Sequence, residues 1–471
     1  MDSSGIGAAW AIFLILSVLF GGTAAAITIW IGPGAMGSGI AELMGYFNGI
    51  HIDKLIGVRT LIVKILGTCL GVSASLAIGK EGPLAHIGAC VGHMVLYMPF
   101  DFCKFFQNEK FKREVAAAGA AAGVSAAFGS PIGGSLLAYE ISKPSTYWSF
   151  DLTWKIFFCS SISTFTLNLL ICIMKGKDLS ITNAGLIKFG EYDENPYKLQ
   201  DFPFFVALGI FGGLLGAMFI YVNGEVNRLR KKVLKTQKIK LLETIALTAL
   251  TATVLFFTPN ILSKNCMSQD ESSVDAEHIQ YLCPEGMYNP MATFLFNSEG
   301  TVIKNFLSKK AVFSYETLLL FFLIWFIFTC ITYGTFIPAG LFLPGILIGC
   351  SLGRVLGLFI ENYIVQEIHP STYAIIGAAA VLAGYSRLSF SLAIIMLETT
   401  ENVNLFLPII FALFVSFAVG GIFNKSMYVS AIRNKNFPFL NEEVPMCNEL
   451  ITAEQIMSRP VKALNYKSSV S

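Results

Sequence analysis

Apolar stretches recur along nearly the whole chain, at 6–31, 56–78, 116–139, 153–174, 202–222, 241–258, 316–332, 340–360, 372–384 and 388–423. Several approach the ~20 residues that carry a helix across a bilayer; others are shorter or interrupted. The interruptions carry as much information as the runs. Gly37-Ser38-Gly39-Ile40, Gly79-Lys80-Glu81-Gly82-Pro83 and the glycine-rich turn at 129–134 break the first part of the chain. The segment from Gly334 to Gly345 breaks the second. A polar connector at 175–201 separates them, giving halves at 1–175 and 202–440. Broken hydrophobic segments in both halves point to a transporter of repeated, discontinuous helices, from which inversion of one half on the other is inferred. Gly119 and Gly123, and the glycines between Gly209 and Gly216, read instead as close helix packing.

Of the 471 residues, 54% are apolar and 14% charged, where a soluble protein carries roughly a quarter charged. The expected class is therefore an all-α polytopic membrane protein. The N-terminus lacks the basic start of a signal peptide and its apolar run is too long for one; it reads as a first membrane helix. The net charge of +2 gives no reason to expect a nucleic-acid partner. Its distribution says more. Arg228, Arg230, Lys231, Lys232, Lys235, Lys238 and Lys240 crowd the loop at 225–240, which the positive-inside rule places in the cytosol. Lys104, Lys110, Lys112 and Arg113 mark a weaker basic loop, diluted by Glu109 and Glu114. One crossing of 241–258 then takes the chain to the other side, into the polar stretch 259–312. Cys266 and Cys283 there read as a disulfide, the alternative being two unpaired thiols. No Cys/His spacing suggests a metal site.

A carboxylate at membrane depth is costly and usually functional, which singles out Glu81. A backbone break there is tolerated only where it is buried in protein or lines a wet cavity. An anion crossing a membrane must exchange its hydration shell for hydrogen-bond donors without being held too tightly to leave. Helix N-termini meet this need, with free N–H groups and roughly half a positive charge. Glycine lets the ion approach the backbone, and proline in the first turn gives up no needed donor. A cation path would favour several membrane carboxylates or exposed carbonyls, and few are present.

GSGI at 37–40, GKEGP at 79–83 and GLFLP at 340–344 resemble, in order and approximate spacing, the three anion-binding signatures of the CLC family of chloride channels and chloride/proton exchangers. AAAGAAAGVSAAFGSPIGG (116–134), ISTFTLNLL (162–170) and YNPMATFLFN (288–297) are similar to its endolysosomal exchangers in particular. ITAEQIMSRPV (451–461) resembles the opening of a first CBS domain. The resemblance runs from about residue 30 to the C-terminus. It implies a CLC-type inverted-repeat helical bundle over 1–440, with a linker and the incomplete start of a CBS domain over 441–471. It also implies a homodimer in the lipid bilayer with chloride as the transported ion and no cofactor in this chain, the nucleotide site of CBS domains falling outside it. Any accessory subunit is left open.

Residue by residue, the resemblance gives Ser38 and Tyr428 to a central anion, from opposite sides. Gly39 and the backbone N–H groups of Leu341 and Phe342 belong to the same site, while Lys80, Glu81 and Gly82 border an outer one. Glu81 would be the gate, its carboxylate occupying the outer site when ionised and swinging away when protonated. Serine at 38, where nitrate-selective relatives have proline, favours chloride. Read without the family, Ser38 is equally a packing residue and Tyr428 an interfacial anchor.

Three departures stand out. The family's exchangers carry an inner proton-transfer glutamate, the second of a Glu-Glu pair. Here the stretch ends Leu137-Ala138-Tyr139-Glu140-Ile141-Ser142, so Ile141 takes that position, as a branched apolar residue does in the family's channels. Glu140 lies one step away, turned by about 100° on a helix. The family also has further helix before the GSGI segment, which reads here as an absent N-terminal helix, and Ala41 stands where its first signature usually has proline.

The expectation is passive, voltage- and pH-sensitive chloride conduction gated by Glu81. Coupled chloride/proton antiport is the alternative, which the likeness to exchangers favours. A membrane enzyme pairing Glu81 with His86 or His93 is a third reading. It fits poorly, because His86 is five residues from Glu81 rather than at the i, i+4 spacing. Glu398 reads as a structural carboxylate and Arg387 as a loop anchor. The endolysosomal likeness points to an internal acidic membrane, with the loss of the proton residue leaving the plasma membrane open.

Overall fold

The structure is a computed structural model and describes residues 3–99, 101, 108–143, 148–175, 197–261, 266–268, 278–308, 313–364, 368–439 and 451–457. Most of the polar connector, Lys104 and most of 441–471 lie outside them. Seven helices among the described residues are long and apolar enough to cross a membrane. Among the described residues, strand structure is limited to a two-residue ladder pairing Met267–Ser268 with Met287–Tyr288. The chain is thus an all-α polytopic membrane protein.

Several helices are too short to span. Glu81–Val95 has 15 residues, which at 1.5 Å each gives about 22 Å, short of the ~30 Å hydrocarbon core. Such a helix must start or end inside the protein. The apolar stretch 116–139 divides into Glu109–Phe128 and Pro131–Ser142. Gly129 takes a left-handed φ of 70° that ends the first helix, and Pro131 is suited only to opening the next. The stretch 388–423 divides likewise into Phe390–Thr400 and Phe406–Phe423.

The basic segment 225–240 departs from a simple loop. The helix Phe202–Val233 continues through it, and Gln237–Ile261 starts after a short turn, so the cations project from a helical hairpin. Arginine and lysine are good helix formers, and the Arg230–Glu243 ion pair joins the two arms of the hairpin. Glycine-lined contacts pack the spans together. A Cβ on Gly119 would strike the backbone of Gly88, and one on Gly216 the backbone of Gly384.

The two halves meet through a reciprocal exchange of helix caps. Glu140, near the end of Pro131–Ser142, accepts hydrogen bonds at the start of Phe390–Thr400, from Phe390 N at 2.8 Å, Ser389 Oγ at 3.0 Å and Ser391 Oγ at 2.6 Å. Glu398, near the end of Phe390–Thr400, accepts from Gly133 N at 2.9 Å, Ile132 N at 3.2 Å and the Ser130 hydroxyl. Each carboxylate satisfies donors that a helix start leaves without partners and lies at the positive end of a helix dipole. The mutual arrangement is what an approximate two-fold relation between inverted halves produces.

Candidate functional site

The three broken segments are stitched to one another by backbone. Gly79 and Gly340 exchange N–H···O bonds, both at 2.8 Å. Gly37 N donates to Ile337 O at 2.9 Å, and Ala339 N to Gly37 O at 3.1 Å. Gly82 packs on both other segments, since a Cβ there would lie 2.9 Å from Ser38 Cβ and 3.4 Å from Gly340 Cα. Gly39 has φ 84° and backs directly onto the His86 ring, a left-handed, crowded position suited to glycine alone. The helices Ile40–Phe47, Glu81–Val95 and Phe342–Tyr363 all begin in this region, so their unpaired first-turn N–H groups are brought together.

Glu81 is the first residue of its helix and only 1% exposed. Neither carboxylate oxygen has a hydrogen-bond partner. The side chain folds back over Gly79, where an added Cβ would lie 2.7 Å from Glu81 Oε2 and 3.2 Å from the Leu343 nitrogen. The negative charge therefore rests between the starts of two helices, a setting that favours an anion. Lys80, the residue before the helix, makes no side-chain cap. Ser38, Leu341 and Phe342 are buried in the same region.

Sequence reasoning missed the groups that hold this arrangement. Lys64 is fully buried and its ammonium donates to Ala35 O at 3.0 Å and Gly37 O at 2.7 Å, fixing the carbonyls of the first break. A lysine inside the apolar stretch 56–78 was the available signal. Asn223 donates to Cys330 O at 2.9 Å and Tyr333 O at 2.7 Å, and Arg230 to Tyr333 O at 3.1 Å. Tyr385 donates to Leu341 O at 2.8 Å and pins the start of Phe342–Tyr363. His86 is buried, with Nε2 3.0 Å from Leu55 O, so it packs behind Gly39 and does not face Glu81 as an acid/base partner.

Two cavities approach this centre. One, of about 370 Å³, is lined by Ser38, Tyr333, Glu42, Arg230, Lys240 and Lys435, so residues of the basic hairpin form part of its wall. The other, of about 350 Å³, is lined by Tyr428, Ile141, Glu140, Arg387, Ser389 and Ser426. The helix Met427–Asn434 stands between them, contributing Tyr428 and Val429 to one and Ala431 and Asn434 to the other. Ser38 and Tyr428 thus line different cavities, and the phenol nearest Ser38 is that of Tyr333, with 3.4 Å between the two oxygens. Arg387 anchors its loop by donating to Ser416 O and Asn424 Oδ1.

On the far side, a disulfide joins Cys266 and Cys283 beside the small ladder. Glu299 opens the helix Glu299–Leu307. Burial, and secondarily the charge of Glu81, push its carboxyl well above the usual range. Among the described residues, no group of His, Cys, Asp and Glu is placed to hold a metal.

Comparison with known proteins agrees with this geometry. The family model described as "Voltage gated chloride channel" matches residues 18–421. H(+)/Cl(-) exchange transporter 7 of Mus musculus is 36% identical, over 98% of this chain and 58% of that protein. Chloride channel protein A of Dictyostelium discoideum is 34% identical over the same shares, 98% and 58%. The chain therefore spans 58% of the length of these relatives. The crystal structure of a eukaryotic CLC transporter superposes with a TM-score of 0.67 at 23% identity, covering 91% of this chain and 66% of that one. A slow cyanobacterial Cl-/H+ antiporter gives 0.68 at 21% identity, covering 91% and 87%.

Proposed function

This chain belongs to the voltage-gated chloride channel (CLC) family, and from that premise we propose that it conducts chloride passively across a membrane, with Glu81 as the gate. Chloride approaches through the cytosolic cavity, whose Arg230, Lys240 and Lys435 raise the local anion concentration. It then meets hydroxyl and backbone N–H donors that bind it without a full opposing charge. The Glu81 carboxylate competes for the last of these positions and must leave for the ion to pass.

The observation that carries the passive mode is Ile141. It is 1% exposed, lines the second cavity and has nothing to titrate. Its neighbour Glu140 is occupied by five donors, the backbone N–H groups of Ser389, Phe390 and Ser391 and the hydroxyls of Ser389 and Ser391, all at the start of Phe390–Thr400. A proton delivered to Glu140 would cost that cap. The coupled alternative is favoured by the 36% identity to an H(+)/Cl(-) exchange transporter. A homodimer with one path per subunit follows from the family premise.

Reversal potential measured in a planar bilayer under a proton gradient separates the two modes. One pH unit corresponds to about 59 mV for a single proton. Passive conduction leaves the reversal potential at the chloride equilibrium value whatever the gradient; a reproducible displacement with pH refutes it.

A further inference from the structure

The structure assigns a second phenol, Tyr333, to the cytosolic anion position: we propose that Ser38 and Tyr333 together bind the ion entering from the cytosol. The assignment rests on the chloride reading for the identity of the ion, and on geometry for the residues.

Tyr333 terminates the helix Tyr315–Thr332 as its C-cap. Its ring is 8% exposed and lines the cavity that has Ser38 in its wall. The two hydroxyl oxygens are 3.4 Å apart, long for an O–H···O bond, whose usual separation is about 2.7–2.8 Å. Both protons can therefore turn from this weak mutual contact toward an ion. Two neutral O–H donors converging on one point suit a monovalent anion, which they hold while leaving it free to move on.

The backbone fixes Tyr333 where a ligand must be fixed. Its carbonyl is held by Asn223 and Arg230, and the next residue, Gly334, turns the chain at φ 100°. Ser38 is equally constrained, because its carbon lies against Gly82 and its neighbour Gly39 against His86. Of the other nearby phenols, Tyr385 is committed to the carbonyl of Leu341 and Tyr428 lines the adjoining cavity beside Ile141; Tyr333 is the one whose hydroxyl lies directly at Ser38. The rim supplies the matching field: Lys231 and Lys240 stand beside Arg230, which pairs with Glu243, and Lys435, which pairs with Glu42.

The test is chloride binding to the purified protein by calorimetry, alongside chloride efflux from proteoliposomes. Tyr333→Phe keeps the ring and removes only the oxygen. It is expected to weaken chloride binding about tenfold, or ~1.4 kcal/mol. Combining it with Ser38→Ala should weaken binding less than the product of the separate effects, because both hydroxyls serve one ion. Unchanged binding in Tyr333→Phe, or a wild type that binds no chloride, overturns the assignment. A wild type that binds chloride but passes none refutes the transport reading instead. In that event, weakened binding in Tyr333→Phe still supports the Ser38–Tyr333 pair.

Discussion

Replacing Glu81 with glutamine isolates the charge from the shape of the side chain. The carboxylate is 1% exposed and neither oxygen is hydrogen-bonded. A buried charge without compensation costs several kcal/mol, while a helix start in a favourable, partly buried geometry returns up to ~2 kcal/mol. Two such starts, those of Glu81–Val95 and Phe342–Tyr363, therefore offset much of the cost, with the N–H groups of Glu81 and Leu343 approaching the carboxylate. Glutamine removes both the cost and the competition with chloride. Glu81→Gln is expected to keep or raise the thermal unfolding midpoint in detergent. Its chloride efflux from proteoliposomes should vary by less than about twofold between roughly pH 5 and 8, the range in which physiological pH switches operate, while the wild type varies more. A variant that retains the wild-type pH profile refutes Glu81 as the gate. A stability loss of about 3–5 kcal/mol, the cost of breaking a buried pair, would refute the premise that the carboxylate is unpaired.

Glu140→Gln should lower stability by about 1–2 kcal/mol, as loss of a helix cap does, while leaving the reversal potential in place; a moved reversal potential would put Glu140 in a proton path. Glu299→Gln tests a pH dependence. Because the folded protein holds that carboxyl above its unfolded range, the native side chain favours folding at low pH and loses that advantage as pH rises. The glutamine variant should therefore gain in unfolding midpoint relative to wild type toward neutral pH and lose that gain on acidification; a pH-independent difference would count against it. Ser38→Pro is expected to raise nitrate relative to chloride permeability in bi-ionic recordings, and an unaltered ratio speaks against Ser38 as a ligand. Changing both Cys266 and Cys283 to serine should lower the yield of folded protein more than the flux per molecule, which quantitative blotting beside efflux measurements checks.

The fold class and the places where helices break were legible in the sequence because glycine and proline act locally. Gly129 and Pro131 mark the end of one helix and the start of another by their own backbone preferences, although Glu398 then caps that start from afar. The basic segment was legible in its charge and not in its conformation, since Arg230 pairs with Glu243 across a turn that only the folded chain brings together. The candidate site divided in the same way. Its three motifs announce themselves, but what holds them does so less clearly. Lys64 reaches two carbonyls from another helix, and Tyr385 pins a helix start that is 44 residues away. Tyr333 lies in a run of aromatic and aliphatic residues where one more ring attracts no notice. Its role depends on its distance from Ser38, separated from it by 295 positions.

The region around Glu81 and the region around Ile141 also differ in what sustains them. The first is built mainly from backbone: exchanged bonds between Gly79 and Gly340, glycines that permit close approach, and helix starts that supply donors whatever their side chains. Most substitutions nearby leave those donors intact. The second depends on side chains, and one residue decides whether its cavity contains a titratable group at position 141. On the proposed reading, such a chain can lose proton coupling without disturbing anion binding, because the two functions draw on different parts of the covalent structure. The reciprocal caps reinforce that separation. Glu140 satisfies the start of the helix that carries Glu398, and Glu398 satisfies the start of the helix that carries Glu140. Freeing either carboxylate for proton transfer would cost both caps, which on the proposed reading keeps Glu140 in a structural role beside the apolar Ile141.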